Sequence, residues 1–219
     1  MTPDPLPRQL TDLTLLLADM ATAAAAAMQH ATTALLEGRE RLAHQVITGD
    51  AEIDALRARV EEVATDALLF HAPVAGDLRA AVAAIRAASD LERMGDLALH
   101  VAQAARRRHP QPVLPAEIAP YFAEMGRIGV ALARKAVEVI NSRDLAAAAE
   151  LEADDDAMDD LHKHMFTVLM DRNWSHGVEA AVDVTLLARF YERYADHAVA
   201  VARRIVYVIT GQMPGPLSV

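Results

Sequence analysis

The sequence predicts an all-α protein built as two tandem three-helix bundles, six long antiparallel helices related by an internal repeat. Three observations predict it. Helix-forming residues carry the apolar content, helix breakers cut the chain into six long segments, and an acidic motif of the third segment returns in the sixth.

Of the 219 residues, 53% are hydrophobic but only 4% are aromatic, so the apolar content falls to Ala, Leu and Val. Ala and Leu head the helix propensities, whereas strands draw on aromatic and β-branched residues. The net charge of −10 lacks the basic balance that displaces counterions from nucleic acid, so no nucleic-acid partner is expected. The chain has no cysteine, which excludes disulfides, thiolate catalysis and zinc–thiolate sites and suits a reducing compartment. No uninterrupted apolar run approaches the roughly 20 residues of a membrane span. The opening Met1-Thr2-Pro3-Asp4-Pro5 lacks the basic region of a signal peptide. A cytoplasmic location without a transmembrane segment is the expectation.

The breakers order the elements. Pro3, Pro5 and Pro7 precede the first periodic segment, and Gly38 ends it. Gly49-Asp50 marks either a local irregularity or the start of the second helix. Pro73, after His71-Ala72, opens the third, and Arg106-Arg107-Arg108 closes it at the negative end of the helix dipole. His109-Pro110-Gln111-Pro112-Val113-Leu114-Pro115 cannot be helix interior. It divides the chain into bundles 1–109 and 110–219. The second half repeats the plan, with a helix from about Ala116 to Ile140 and a turn at Asn141-Ser142. Ser142 is placed to cap the next helix, which runs to about Asp171. A loop over Asn173-Trp174-Ser175-His176-Gly177, a helix from about Val178 to Thr210 and a tail from Gly211 complete the chain.

The repeat is visible in residues. Leu91-Glu92-Arg93-Met94-Gly95-Asp96-Leu97-Ala98 matches Tyr191-Glu192-Arg193-Tyr194-Ala195-Asp196-His197-Ala198, 100 residues on. Asp50-Ala51-Glu52-Ile53-Asp54 matches Asp155-Asp156-Ala157-Met158-Asp159, 105 residues on. All four share the skeleton acid-x-x-x-acid, which puts both carboxylates on one helix face. Counting outward from turns near residues 72–73 and Ser175 sets Asp54 level with Glu92 and Asp50 with Asp96. In the second half it sets Asp159 level with Glu192 and Asp155 with Asp196. Each unit is therefore expected to gather four carboxylates from two neighbouring helices.

Like charges at this spacing repel, and a cation relieves them. An all-oxygen set prefers Mg, Mn, Ca or iron. Glu92 and Asp96 also interrupt an apolar stripe with Leu78, Ile85 and Leu99, which predicts partial burial. The plainer reading is that such acids are solvated helix faces, or that Arg93 and Arg193 pair with acids on neighbouring helices. His100, four after Asp96, is a further candidate ligand, whereas the repeat has Ala200 there. His162 and His164 point to different faces, and His197 reads as surface or structural. Asp154-Asp155-Asp156 and Asp159-Asp160 read mostly as a solvated acidic face, and the three-arginine run as a solvated helix end. The Glu-x-x-His pair of di-iron bundles, the phosphate-binding and dinucleotide loops and the nucleophile elbow are all missing from the sequence.

The doubled acid motif, together with Pro73-Val74-Ala75-Gly76-Asp77-Leu78-Arg79 before the third helix, resembles the signature of the PhoU family over essentially the whole chain. The chain departs from the family at His71 or Ala72, where Gln is frequent, and at His100 and Ala200, where Asn is frequent. The resemblance implies a regulator rather than an enzyme: a negative regulator of the phosphate-starvation response. It would link the phosphate ABC transporter and its ATPase to a sensor histidine kinase and modulate phosphate uptake. It also implies Mg, Mn, Zn or Fe ions at the acid motifs, a homodimer, and peripheral association with membrane complexes. The alternatives are a carboxylate-metal enzyme, hydrolase or oxidase, and a metal-free structural helical protein.

Overall fold

The computed structural model describes residues 6–71 and 73–212. Pro3, Pro5, Ala72 and the tail from residue 213 lie outside the described residues. Six helices follow: α1 Leu6–Glu37, α2 Glu40–His71, α3 Ala75–Arg108, α4 Ala119–Ser142, α5 Leu145–Leu169 and α6 Gly177–Thr210.

Local chemistry sets the boundaries. Pro7 sits in the first turn of α1, where its missing N–H costs nothing. Gly38, at φ 64°, ends α1 in the left-handed conformation that glycine adopts without strain. Gly49 neither breaks nor starts α2, which begins at Glu40 and runs through it. The carbonyl of Pro115 accepts the N–H groups of Ile118 and Ala119 at 3.0 and 3.1 Å in a turn. That turn moves the start of α4 to Ala119. Ser142 is the last residue of α4 rather than the cap of α5. Arg143 turns the chain at φ 55°, and Asp144 caps α5 by accepting the N–H of Ala146 at 2.8 Å. Ser142 Oγ supports this turn by accepting the N–H of Asp144 at 3.2 Å.

α1, α2 and α3 pack on one another, as do α4, α5 and α6, and the two bundles meet where α1 lies on α4 and α3 on α6. Among the described residues α2 and α5 pack against helices of their own bundle alone. Their sequences explain it: α2 has six buried residues against thirteen in α1. α1 is long and apolar enough to cross a bilayer by length and composition, contrary to the expectation from its interrupted runs. Its apolar residues Leu13, Leu17, Met20 and Met28 are instead spent in the core.

Polar contacts fix the junction. α3 and α6 run antiparallel, with the rings of His100 and Phe190 stacked at 5.1 Å. Buried Asp90 receives Arg204 Nε at 2.5 Å and lies 3.1 Å from His197 Nδ1. Buried Asp183 accepts Arg107 Nη2 at 3.1 Å and Arg108 Nε at 3.0 Å. Arg107 and Arg108 are thus clamps between bundles, not a solvated helix end, and His197 is structural. Beside the α1/α4 contact, Thr32 Oγ1 of α1 and Tyr191 OH of α6 share a hydrogen bond of 2.8 Å. Gly126 makes this approach possible: a Cβ there would collide with Thr32 Cγ2 and lie 2.7 Å from its Oγ1.

Gly126→Ala is therefore expected to lower stability by about 1–3 kcal/mol through overpacking, at least about 3 °C in Tm for a chain of this length. A thermal melt checks it, and pairing the change with Thr32→Ala should cost less than the two losses added together.

Candidate functional site

The predicted acids lie along two helix–helix seams. On the α2/α3 seam Asp50, Glu92 and Asp96 are half-buried and Asp54 is exposed. Burial first, then the charges of Asp96, Asp54 and Glu92, push the Asp50 carboxyl above its ordinary range, and His100 opposes them. Asp50 therefore feels the other three carboxylates of the seam. On the α5/α6 seam Asp155, Asp159 and Asp196 are half-buried and Glu192 is buried. Burial and the charges of Asp196, Asp159, Asp156 and Glu192 push Asp155 up to about 7. Glu192 and Asp196 are raised as well, each by burial first and by acidic neighbours next, with Arg189 opposing in both.

Burial of the acids has a local cause. Leu78 on the acid stripe of α3 is exposed while Ile85 and Leu99 are half-buried. The stripe is the margin of the core rather than its centre. The carboxylates are partly desolvated there but can still be reached from outside.

Arginines supply countercharge. Arg57 on α2 donates Nε to Glu61 at 3.0 Å and brings Nη1 to 3.3 Å from Glu92 Oε1 on α3. Arg93 donates to Asp96 of its own helix at 2.7 Å, not to a neighbouring helix. Arg189 donates to Glu192 Oε1, while Arg193 is exposed. Lys163 lies 3.5 Å from Asp159. Two atoms of the second seam have no such partner: Glu192 Oε2 and His162 Nε2 are enclosed without a hydrogen bond. His162 lies within the electrostatic reach of Asp159, Asp196 and Arg189. Arg57 and Arg189 were missed in the sequence, and His162 was set aside there because it and His164 point to different faces. The signal available was position: Arg57 and His162 each stand three residues after the second acid of their helix.

The structure does not bring everything together. His100 is exposed against Phe190 rather than enclosed with the acids. Among the described residues no three His, Asp or Glu side chains are gathered closely enough to hold a metal ion as they stand. Asp154, Asp156 and Asp160 are exposed, as a solvated face should be.

Comparison with known proteins places these seams in a family context. The PhoU domain model matches residues 17–105 and again 122–205, one copy per bundle. The chain is 58% identical over 206 residues to the phosphate-specific transport system accessory protein PhoU homolog 2 of Mycobacterium tuberculosis, covering 94% of this chain and 97% of that protein. It is 57% identical over 206 residues to the PhoU homolog 1 of Mycobacterium leprae, covering 94% and 93%. The crystal structure of PhoU from Pseudomonas aeruginosa has the same fold, with a TM-score of 0.82 at 23% identity over 94% of this chain and 99% of that one.

A pH dependence follows from Asp155. Its folded-state pKa lies above its ordinary value, so ionising it costs stability. The cost is absent below about pH 4, grows as pH rises, and is complete above about 7. Asp155→Asn should raise Tm by about 5 °C at pH 8. The gain should shrink steadily in melts taken from pH 7 down to pH 4.5.

Proposed function

The chain belongs to the PhoU family, and on that premise we propose that it is a negative regulator of the phosphate-starvation response. In this reading it is an accessory protein of the phosphate transport system. It acts as an adaptor between the ATPase of the phosphate ABC transporter and a sensor histidine kinase, and it modulates phosphate uptake. The observation that carries the reading is the family match in both bundles together with identity near 58% over almost the full length of a curated relative. The family is one of accessory and regulatory proteins rather than enzymes, so family membership gives no support to a carboxylate-metal hydrolase or oxidase.

The fold suits an adaptor. A junction tied by two buried carboxylates, each held by two basic side chains, makes the two bundles one stiff body. The outer helices α2 and α5 are left facing outward as partner surfaces. Action at the cytoplasmic side of membrane complexes, as a homodimer, belongs to the same proposal.

Metal ions at the seams are part of it too. Asp50, Asp54, Glu92 and Asp96 would hold one, and Asp155, Asp159, Glu192 and Asp196 another, with Mg, Mn, Zn or Fe as candidates. What supports this reading is that Asp50, Asp155, Glu192 and Asp196 are partly desolvated beside other carboxylates, a charge a cation would relieve, and that Glu192 has an enclosed oxygen with no hydrogen-bond partner. A bound cation would supply charge neutralisation that locks α2 to α3 and α5 to α6.

The test is secreted alkaline phosphatase in a deletion strain, any paralogue also removed, grown in abundant phosphate. Activity is expected to be high in the deletion and to return to baseline when this chain is supplied. A chain carrying Glu92→Gln, Asp96→Asn, Glu192→Gln and Asp196→Asn should restore repression incompletely. Low activity in the deletion would overturn the regulatory reading.

A further inference from the structure

Where α1 lies on α4, a cleft carries charge of the opposite sign to the molecule as a whole. The chain has 31 acidic residues against 21 basic ones and a net charge of −10. The cleft, of about 420 Å³, has Gln29 and Thr33 of α1 in one wall and Arg127 and Arg134 of α4 in the other. Buried Thr32, Gly126 and Val130 lie at its floor. Among the described residues lining it there is no Asp or Glu. Other clefts differ: the one beside the first acid seam has Asp50 and Glu52 in its wall, and the one between α5 and α6 has Glu152. A cleft walled by a single sign of charge concentrates ions of the other sign.

The hydrogen bonds of the walls leave donors unspent. Arg127 and Arg134 are seven residues apart on α4, two helical turns, so both edge the side that borders α1. Arg127 gives Nε and Nη2 to Glu124 of its own helix at 2.8 and 2.6 Å, which fixes the guanidinium and leaves Nη1. Arg134 meets no carboxylate among the described residues. Its Nη2 donates to Gln29 Oε1 at 3.0 Å, which holds the guanidinium across the helix contact with its other N–H groups unused. That bond occupies the amide oxygen of Gln29 and leaves its NH2 group. The Thr33 hydroxyl spends its proton on the Gln29 carbonyl at 2.9 Å. What remains in the walls is mainly N–H donors, two of them on permanent cations. The ligand that matches is negative and rich in acceptor oxygens.

We propose that the α1/α4 cleft binds a small oxyanion, either free phosphate or the phosphoryl group of a nucleotide-sized molecule, with Arg134 and Arg127 as its cationic contacts and the Gln29 amide beside them. A phosphoryl group suits the site better than a carboxylate. It offers three or more oxygens to three separate donor groups, and guanidinium forks match its geometry. The volume is that of a small-molecule site, and Ala123, Val130 and Ala131 give the body of a phosphoester an apolar bed. Because α1 belongs to the first bundle and α4 to the second, a ligand held by Arg134 and Gln29 ties the two bundles together. Neither the regulatory reading nor the metal reading is needed for this site.

Inorganic phosphate, adenosine monophosphate and adenosine are the probes, each titrated calorimetrically into the full-length chain. Chelator and salt at about 0.15 M keep metal-bridged and long-range binding out. Phosphate, adenosine monophosphate or both are expected to bind at a single site and to raise Tm with concentration, while adenosine does not bind. Binding of phosphate as tight as that of the nucleotide identifies the free ion as the ligand, and tighter binding of the nucleotide identifies a phosphoester. Arg134→Gln and Arg127→Gln are each expected to weaken binding at least about tenfold. Both side chains are exposed, so the variants should fold and melt like the wild-type chain. Arg59→Gln, the same charge change at an exposed position of α2, should leave binding as it was. The proposal is overturned if neither phosphate nor the nucleotide binds, if adenosine binds as tightly as the nucleotide, or if either cleft variant keeps wild-type affinity. An equal loss in Arg59→Gln overturns it too, because the anion is then held by diffuse charge rather than by the cleft.

Discussion

The antiparallel pairing of α3 with α6 is the contact on which the rest of the structure depends. It buries two carboxylates, Asp90 and Asp183, and satisfies each with two basic side chains from the opposite helix. Apolar packing between Ala-rich helices is permissive about sliding. A buried carboxylate is not, since a slip of one turn would leave it unpaired at a cost of several kcal/mol. These two points therefore fix the register between bundles. They set the turn between α2 and α3 and the turn between α5 and α6 at opposite ends of the molecule, and leave α2 and α5 on the outside.

That placement decides where charge can be concentrated. In each bundle the outer helix meets the inner one along a margin that is neither core nor open surface. Asp50, Asp155, Glu192 and Asp196 lose enough water there to raise their pKa values, to about 7 for Asp155. They also remain close enough to solvent to be reached. A cluster deeper in the core would have discharged by protonation, and one further out would have been a solvated face of no consequence.

The two bundles share a plan but have not stayed identical in chemistry. Tyr191 stands where the first half has Leu91 and bonds to Thr32 across the junction. Tyr194 stands where the first half has Met94, fully buried. Arg189 stands where the first half has Ser89, and His162 where it has Arg57. Each change alters the polar atoms offered at its position, so the repeat preserves backbone geometry while the seams and the junction differ in chemistry.

The helices, the repeat and the facing acids were legible because each is a local or arithmetic property. Propensity marks helices, Pro and Gly mark ends, and equal rise on both arms of a hairpin sets Asp54 against Glu92 from residue counts alone. Boundaries slipped where a turn residue could act in more than one way: Ser142 yielded the cap to Asp144, and Gly49 was absorbed into α2. Side-chain pairing across helices far apart in sequence was not legible at all. Nothing local joins Arg107 and Arg108 to Asp183, Asp90 to Arg204, or Thr32 to Tyr191. Nor does spacing say that Arg189 would take one oxygen of Glu192 and leave the other bare. By itself the sequence determined which residues share a helix face and at what height. Only the tertiary structure decided which of those faces meet and how deeply each is buried, because partners and burial are set by the packing of the whole chain.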